Sequence, residues 1–272
     1  MKFVEAKGAR IPIVGLGTWE LRGRECAKLV QEAARIGYRH FDAAQMYGNE
    51  SEVGEGVRAS GVPRAEILVT TKVAPTNLAP KALKASVKES LAALKISELD
   101  LLLLHWPNKD VPLADTIGAL CEVKRAGQAR HIGVSNYTVA LLDEANRLAS
   151  EPLVCNQIEA HPYLDQSKVI AATRNHGMAV VAYSPIARGR AEGDRVLARI
   201  GKAHGKSAAQ ISLRYLVQQD IVVIPRTSKA ERLAENIAIF DFELSAAEME
   251  GISRLAYGKG RIVDWDWSPA WD

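Results

Sequence analysis

Along the chain, short runs of apolar residues alternate with longer stretches in which apolar positions return every three or four residues. The short runs are Ile13–Gly17, Tyr38–Asp42, Ile67–Lys72, Leu101–His105, His131–Ser135, Leu153–Ile158, Ala179–Tyr183 and Ile221–Pro225, eight in all. LLLLH, ILVTTK and IVVIP show no polar alternation, which is the pattern of parallel strands covered by helices on both faces. The stretches Gly23–Ile36, Pro80–Leu94, Thr138–Leu148, Asp165–His176, Ser207–Gln219 and Lys229–Ile237 predict amphipathic helices. Pro80 suits a first helical turn, and Asp165 and Ser207 are candidate N-caps.

Eight strands alternating with helical segments predict an α/β chain folded as a (β/α)8 TIM barrel; the runner-up is a doubly wound open sheet. The count and the lack of a dividing linker favour the barrel, as a single domain over 1–272. FVEA, KGAR and IPIV predict an N-terminal β-hairpin around Gly8 that caps the barrel bottom. The tail, Tyr257–Asp272, carries Trp265, Trp267 and Trp271 without periodicity and predicts coil. Whether these tryptophans form a pocket lid or merely pack is open.

Composition narrows the function classes. At 47% hydrophobic and 25% charged the chain is not generally disordered. A net charge of +3, from 35 basic and 32 acidic residues, leaves no footprint for nucleic acid or an anionic membrane. Cys26, Cys121 and Cys155 are far apart and odd in number, so no disulfide framework or zinc ribbon is expected. With no signal-length or membrane-length apolar run, a cytoplasmic protein is expected. No heptad seam is visible, so a monomer is the default.

Barrel chemistry sits at strand C-termini. The runs end in Asp42 (with Tyr47 five residues on), Lys72, His105, Ser135-Asn136, Asn156 to Glu159, Tyr183-Ser184 and Arg226-Thr227-Ser228. A lone Lys or His there is usually structural. Four ionisable groups on three successive strand ends point to a site. A Tyr phenol, with an ordinary pKa of about 10, is pulled toward phenolate by a neighbouring cation. Lys72 would be that cation, held by Asp42, with His105 orienting a carbonyl oxygen: general acid catalysis of an alkoxide-forming step.

GYRHFDAAQMYGNESEVGEGVR, VTTK, LLLLHWP, IGVSNY, VCNQIEAHPY, AYSPIARG and IPRTSKAERLAEN together resemble the successive signature blocks of the aldo-keto reductase superfamily, in order and over nearly the whole chain. The closest likeness is to the prokaryotic 2,5-diketo-gluconate and methylglyoxal reductase branch. The resemblance implies a barrel, NADPH/NADP+ as cofactor, a small-molecule carbonyl substrate and no metal. It assigns Asp42, Tyr47, Lys72 and His105 as the catalytic tetrad, with Tyr47 as general acid. It places Ser135, Asn136 and Gln157 on the nicotinamide carboxamide, and the Tyr183 ring under the nicotinamide. Ser184, Pro185, Ile186 and Gly189 fall in the pyrophosphate loop. Arg226, Thr227, Ser228 and Arg232 fall near the 2′-phosphate, and Glu235 and Asn236 near adenine. Gly17 and Thr18 become cofactor neighbours, with Trp19, Tyr47, His105 and Trp106 around the substrate.

The chain departs from the family at Arg226 (often Lys), at Ala187 (often Gly) and at Ala74, where a Trp is usual. The last departure, with short loops after Trp106 and Gly189, predicts a shallow, open pocket. GLGTW lacks the third glycine of a dinucleotide fingerprint, and GKAHGKS is one residue short of a P-loop. His40, His131 and His161 read as structural, His176 and His204 as surface. Two alternatives stand beside the reductase: a protein of this fold that holds NADPH with little turnover, and an unrelated phosphate-binding barrel isomerase.

Overall fold

The computed structural model describes residues 2–272. A hairpin opens the chain: β1 (Phe3–Ala6) and β2 (Ala9–Pro12) pair antiparallel across Lys7 and Gly8. Both turn residues have positive φ, 46° and 85°, the geometry that matches the twist of flanking strands. Eight strands then follow in one parallel sheet: β3 (Leu16–Gly17), β4 (His40–Asp42), β5 (Leu68–Val73), β6 (Leu99–Leu104), β7 (Ala129–Ser135), β8 (Leu153–Glu159), β9 (Ala179–Tyr183) and β10 (Val222–Val223). Neighbours in sequence are neighbours in the sheet. Parallel bridges Val14–Val223 and Gly17–Arg226 join the first strand to the last. The Val223 amide donates to Ile13 O at 2.8 Å and the Gly15 amide to Val223 O at 2.9 Å. The fold is the expected (β/α)8 barrel, not an open sheet.

The two-sided burial of the strands is visible in β6. Leu101 and Leu103 belong to the interior cluster with Leu68, Val154, Val181 and Val222, whereas Leu102 and Leu104 pack among the surrounding helices. Ala6, Ala9 and Ile11 of the hairpin join the interior cluster, so the hairpin plugs the bottom of the barrel. The tail from Tyr257 runs as coil, as expected.

Helices α1 (Gly23–Arg35), α2 (Glu50–Ala59), α3 (Pro80–Leu94), α4 (Leu113–Arg125), α5 (Val139–Leu148), α6 (Ser167–Asn175), α7 (Arg195–His204), α8 (Ala208–Val217), α9 (Ala230–Ile237) and α10 (Ala246–Ser253) surround the sheet. α3 has the expected bounds. Ser207 caps α8, its hydroxyl and the Gln210 side chain forming a reciprocal capping box. Asp165 is not a cap: α6 starts later, and the Asp165 carboxylate instead accepts the Ser167 amide at 2.9 Å. His176 and His204 are half-buried rather than free at the surface, facing Asp143 and Glu248. No helix among the described residues is long and apolar enough to cross a membrane.

Glycines let α2 approach its neighbours. A Cβ at Gly54 would overlap the Leu94 carbonyl of α3, and one at Gly56 would overlap Ala27 O and Val30 of α1. Gly118, inside α4, has open space around its Cα. Gly54→Ala is therefore expected to destabilise the fold by about 1–3 kcal/mol through overpacking. Gly118→Ala should stabilise it by about 0.5–1 kcal/mol through helix propensity. Urea unfolding of the two variants beside the parent checks both signs.

Candidate active site

Four polar side chains converge at the C-terminal mouth of the barrel. Asp42 ends β4, Lys72 lies on β5, His105 follows β6, and Tyr47 closes the short turn Gln45–Tyr47 after β4. Lys72 is fully buried and spends all three ammonium protons: on Asp42 Oδ1, on Ala43 O at 2.9 Å, and on Tyr47 Oη at 3.3 Å. Asp42 Oδ2 accepts from Gln157 Nε2 at 2.8 Å. The His105 ring meets Tyr47 edge-on, centroids 5.6 Å apart.

Burial pushes the Tyr47 phenol above its usual range; Lys72 pulls it down and Asp42 adds to the rise. The net direction is upward, so the expectation that the cation wins is corrected: desolvation outweighs it. Burial alone would lower Lys72, but Asp42 and Tyr47 carry it above its ordinary value. Burial, then the Lys72 charge, holds His105 well below the usual histidine range. At neutral pH the centre thus has a protonated phenol, an ammonium–carboxylate pair and a neutral imidazole. His105 Nδ1 is buried with no partner among the described residues. An unpaired buried N–H is the costlier arrangement, which favours the tautomer with its proton on the cavity-side Nε2.

A cavity of about 430 Å³ opens above these groups. It is lined by Gly17, Thr18, Trp19, Asp42, Tyr47, His105, Trp106, Asn136, Gln157, Tyr183, Ser184, Pro185, Ile186, Gly189, Arg226 and Arg232, all of them expected. A second cavity of about 220 Å³ shares Ile186, Arg226 and Arg232 with the first and adds Thr227, Glu235 and Asn236. Ser135 and Ser228 line neither. Ser135 is fully buried behind Asn136, its hydroxyl given to Gln157 O at 2.9 Å, and Ser228 is exposed. Asn136, at φ 63°, donates to His105 O and accepts from Tyr183 Oη at 2.8 Å. The loop after β9 holds Ser184, Ala187 and Arg188 at positive φ beside Gly189. Ala187 therefore stands where the backbone favours glycine.

Several contributors lay outside the sequence reading. Asn49 is buried and donates to Thr18 O and Leu21 O, tying the Tyr47 segment to the loop after β3. Gln45 Oε1 accepts the Ala74 amide at 2.9 Å and pins the same turn from the other side. Arg188 lies over the Trp19 ring at 4.6 Å, and Glu192 forms a two-pronged ion pair with Arg232. Val263 and Trp265 of the tail also line the large cavity. Trp267 and Trp271 pack against Trp106, with centroids 5.2 and 6.0 Å away. The tail tryptophans thus divide between cavity wall and packing. Ala74 is buried and its short side chain does not reach the cavity lining.

The fold and these converging groups define a (β/α)8 barrel with a buried ionisable cluster beneath a cavity at its strand C-termini. The aldo/keto reductase family model matches residues 13–256, and the chain belongs to that family. It is 37% identical over 265 residues to methylglyoxal reductase DkgB of Escherichia coli O157:H7, covering 96% of this chain and 99% of that one. A crystal structure provisionally assigned as a 2,5-diketo-D-gluconic acid reductase B superposes with a TM-score of 0.98 at 48% identity, covering 100% of this chain and 98% of the other. A Bombyx mori aldo-keto reductase solved in complex with NADP gives a TM-score of 0.89 at 32% identity, with 97% and 95% coverage. The chain is accordingly a carbonyl-reducing oxidoreductase of this family.

His40 is fully buried and held down to about 4 by burial, against the opposing pull of Asp42. His40 and His105 therefore both stay neutral in the folded chain while the unfolded chain protonates them near pH 6.5. Below that pH the unfolded state binds more protons, so acid destabilises the fold. Each histidine should contribute a slope of about 1.4 kcal/mol per pH unit between pH ~6.5 and ~5. Denaturant titrations across that window measure it, and a flat profile refutes the neutral assignments.

Proposed function

We propose that the chain is an NADPH-dependent reductase of aldehydes, 2-ketoaldehydes or keto-sugars, with Tyr47 as general acid. One observation carries the reading: a buried ammonium holds a tyrosine hydroxyl at the floor of a cavity beside a neutral imidazole. That set has a proton to give and a donor with which to orient a carbonyl oxygen.

The residues present fit a phosphorylated dinucleotide. The two cavities adjoin through Ile186, Arg226 and Arg232, giving an elongated groove. The Tyr183 ring lines one end and two guanidinium groups the other, where a phosphate monoester would find charge-assisted donors. Gln157 gives its amide N–H to Asp42, leaving Oε1 as an acceptor for a carboxamide. Arg232 would exchange its Glu192 partner for phosphate. When bound, NADPH supplies the hydride that the carbonyl carbon receives.

The proton comes from Tyr47 Oη. The raised pKa keeps it on the phenol until the substrate oxygen becomes basic. Lys72 then stabilises the phenolate left behind through the hydrogen bond it already makes, and Asp42 keeps Lys72 charged. His105 Nε2–H fixes the carbonyl oxygen within reach of Oη. All four groups come from one chain, so a monomer suffices.

Tyr47→Phe is expected to keep NADPH affinity within about threefold while kcat falls by about 10²–10⁴. Loss of NADPH absorbance with methylglyoxal, an aromatic aldehyde and a diketo-sugar acid reads the rate, and NADPH fluorescence reads binding. NADPH binding with no reduction across the panel by the parent would favour the cofactor-holding alternative. Arg232→Ala should weaken NADPH by about 10- to 100-fold, the worth of one charge-assisted contact, and NADH by less than about threefold. Equal losses for both nucleotides would remove Arg232 from phosphate recognition.

A further inference from the structure

Glu159 ends β8, two residues beyond Gln157, and is fully buried. No Lys or Arg pairs with it among the described residues. Its Oε1 accepts the Ile262 amide at 2.7 Å and His161 Nε2 at 2.9 Å, and its Oε2 accepts the Val263 amide at 2.8 Å. The Arg261 guanidinium is near enough to interact with its charge but makes no direct ion pair, and a buried carboxylate without a bonded cation is expensive unless N–H groups replace its water. Here two consecutive backbone amides of the C-terminal tail do so. The grip is on main chain, about 100 residues from Glu159 in sequence.

The approach to this grip is shaped to match. Gly260 lies flush on the Tyr163 carbonyl, where a Cβ would overlap that oxygen, and the Tyr257 amide donates to the same carbonyl at 3.3 Å. Val263 of the clamp and Trp265 just beyond it line the cavity that holds Tyr47 and His105. The far end is tied down too: Asp272 accepts the Val139 amide at the start of α5, at 3.0 Å.

We propose that Glu159 is a positioning residue that seats the tail as a wall of the substrate cavity. Recognition of the non-reacting part of the substrate then depends on a carboxylate that never touches it. The inference rests on the reductase reading for its kinetic consequence only; the clamp itself is a matter of hydrogen bonding.

Glu159→Gln keeps the volume but sets an NH2 group against one tail amide. In the full chain, hydrogen exchange at the 262–263 amides should accelerate by about tenfold or more, because local opening is no longer opposed by both acceptors. KM for a bulky aromatic aldehyde should rise about tenfold, the worth of a lost wall contact, with kcat and NADPH affinity within about twofold. Methylglyoxal, too small to reach Trp265, should be little affected. Trp265→Ala should raise the aromatic KM similarly, and the double variant should add nothing further, because both act through one wall. Gly260→Ala reaches the same clamp from the tail side and should reproduce the pattern if Glu159→Gln does not fold. Unchanged exchange at 262–263, or a Glu159→Gln effect that persists in full on the Trp265→Ala background, overturns the proposal. If the parent binds NADPH but reduces no carbonyl, the reductase reading fails while the exchange measurement still decides the clamp.

Discussion

A lysine ammonium with no access to water must find three acceptors, and the position of Lys72 makes the protein supply them. Asp42, the Ala43 carbonyl and the Tyr47 hydroxyl all come from one stretch of chain, the end of β4 and the turn that follows it. Satisfying one cation thus fixes the position of the Tyr47 hydroxyl. Removing one member of a buried pair of this kind costs about 3–5 kcal/mol, because the other charge is left uncompensated. The surrounding contacts read as support for this arrangement. Asn49 and Gln45 brace the turn from opposite sides, and Gln157 occupies the second oxygen of Asp42. From Gln157 the same strand continues to Glu159, so β8 serves both the Lys72–Asp42 cluster and the tail.

Strand positions were legible because each strand is buried on both faces, which leaves uninterrupted apolar runs. Ala179–Tyr183 matches the expected bounds, whereas the last strand is reduced to Val222–Val223, since Pro225 has no N–H to give the ladder. Four helices escaped the periodic reading. In α2, Gly54 and Gly56 depress helix propensity, yet they are required by the close approach to α3 and α1, and only Val53 and Val57 carry the apolar stripe. α10 is eight residues long with one buried position, Ile252, too little for a period to show.

Within the site, ionisable residues that end apolar strands were legible by their cost of burial, and the family blocks placed the remainder. The tail wall was not. Val263 and Trp265 reach the cavity because backbone amides, identical in every non-proline residue, meet a distant carboxylate. No side-chain pattern encodes that contact. The sign of the Tyr47 shift was misjudged for a related reason: the neighbouring cation is visible in the sequence, whereas the depth of desolvation around the phenol is a property of the finished fold.

The hairpin at the barrel bottom has a consequence for the order of assembly. β1 and β2 are synthesised before any strand of the barrel sheet, yet Ile11 and its companions are buried against Ala179, Val181 and Val222, and the seam next to them closes only when Ile13 meets Val223. The hairpin therefore waits for the last strand of the sheet before it is covered. Long-range closure of this kind makes folding slow and leaves apolar surface exposed in the interval. The nascent chain must carry an open, unplugged sheet through most of its synthesis, and a chain arrested before residue 223 would have an unpaired β3 edge with nothing to close it.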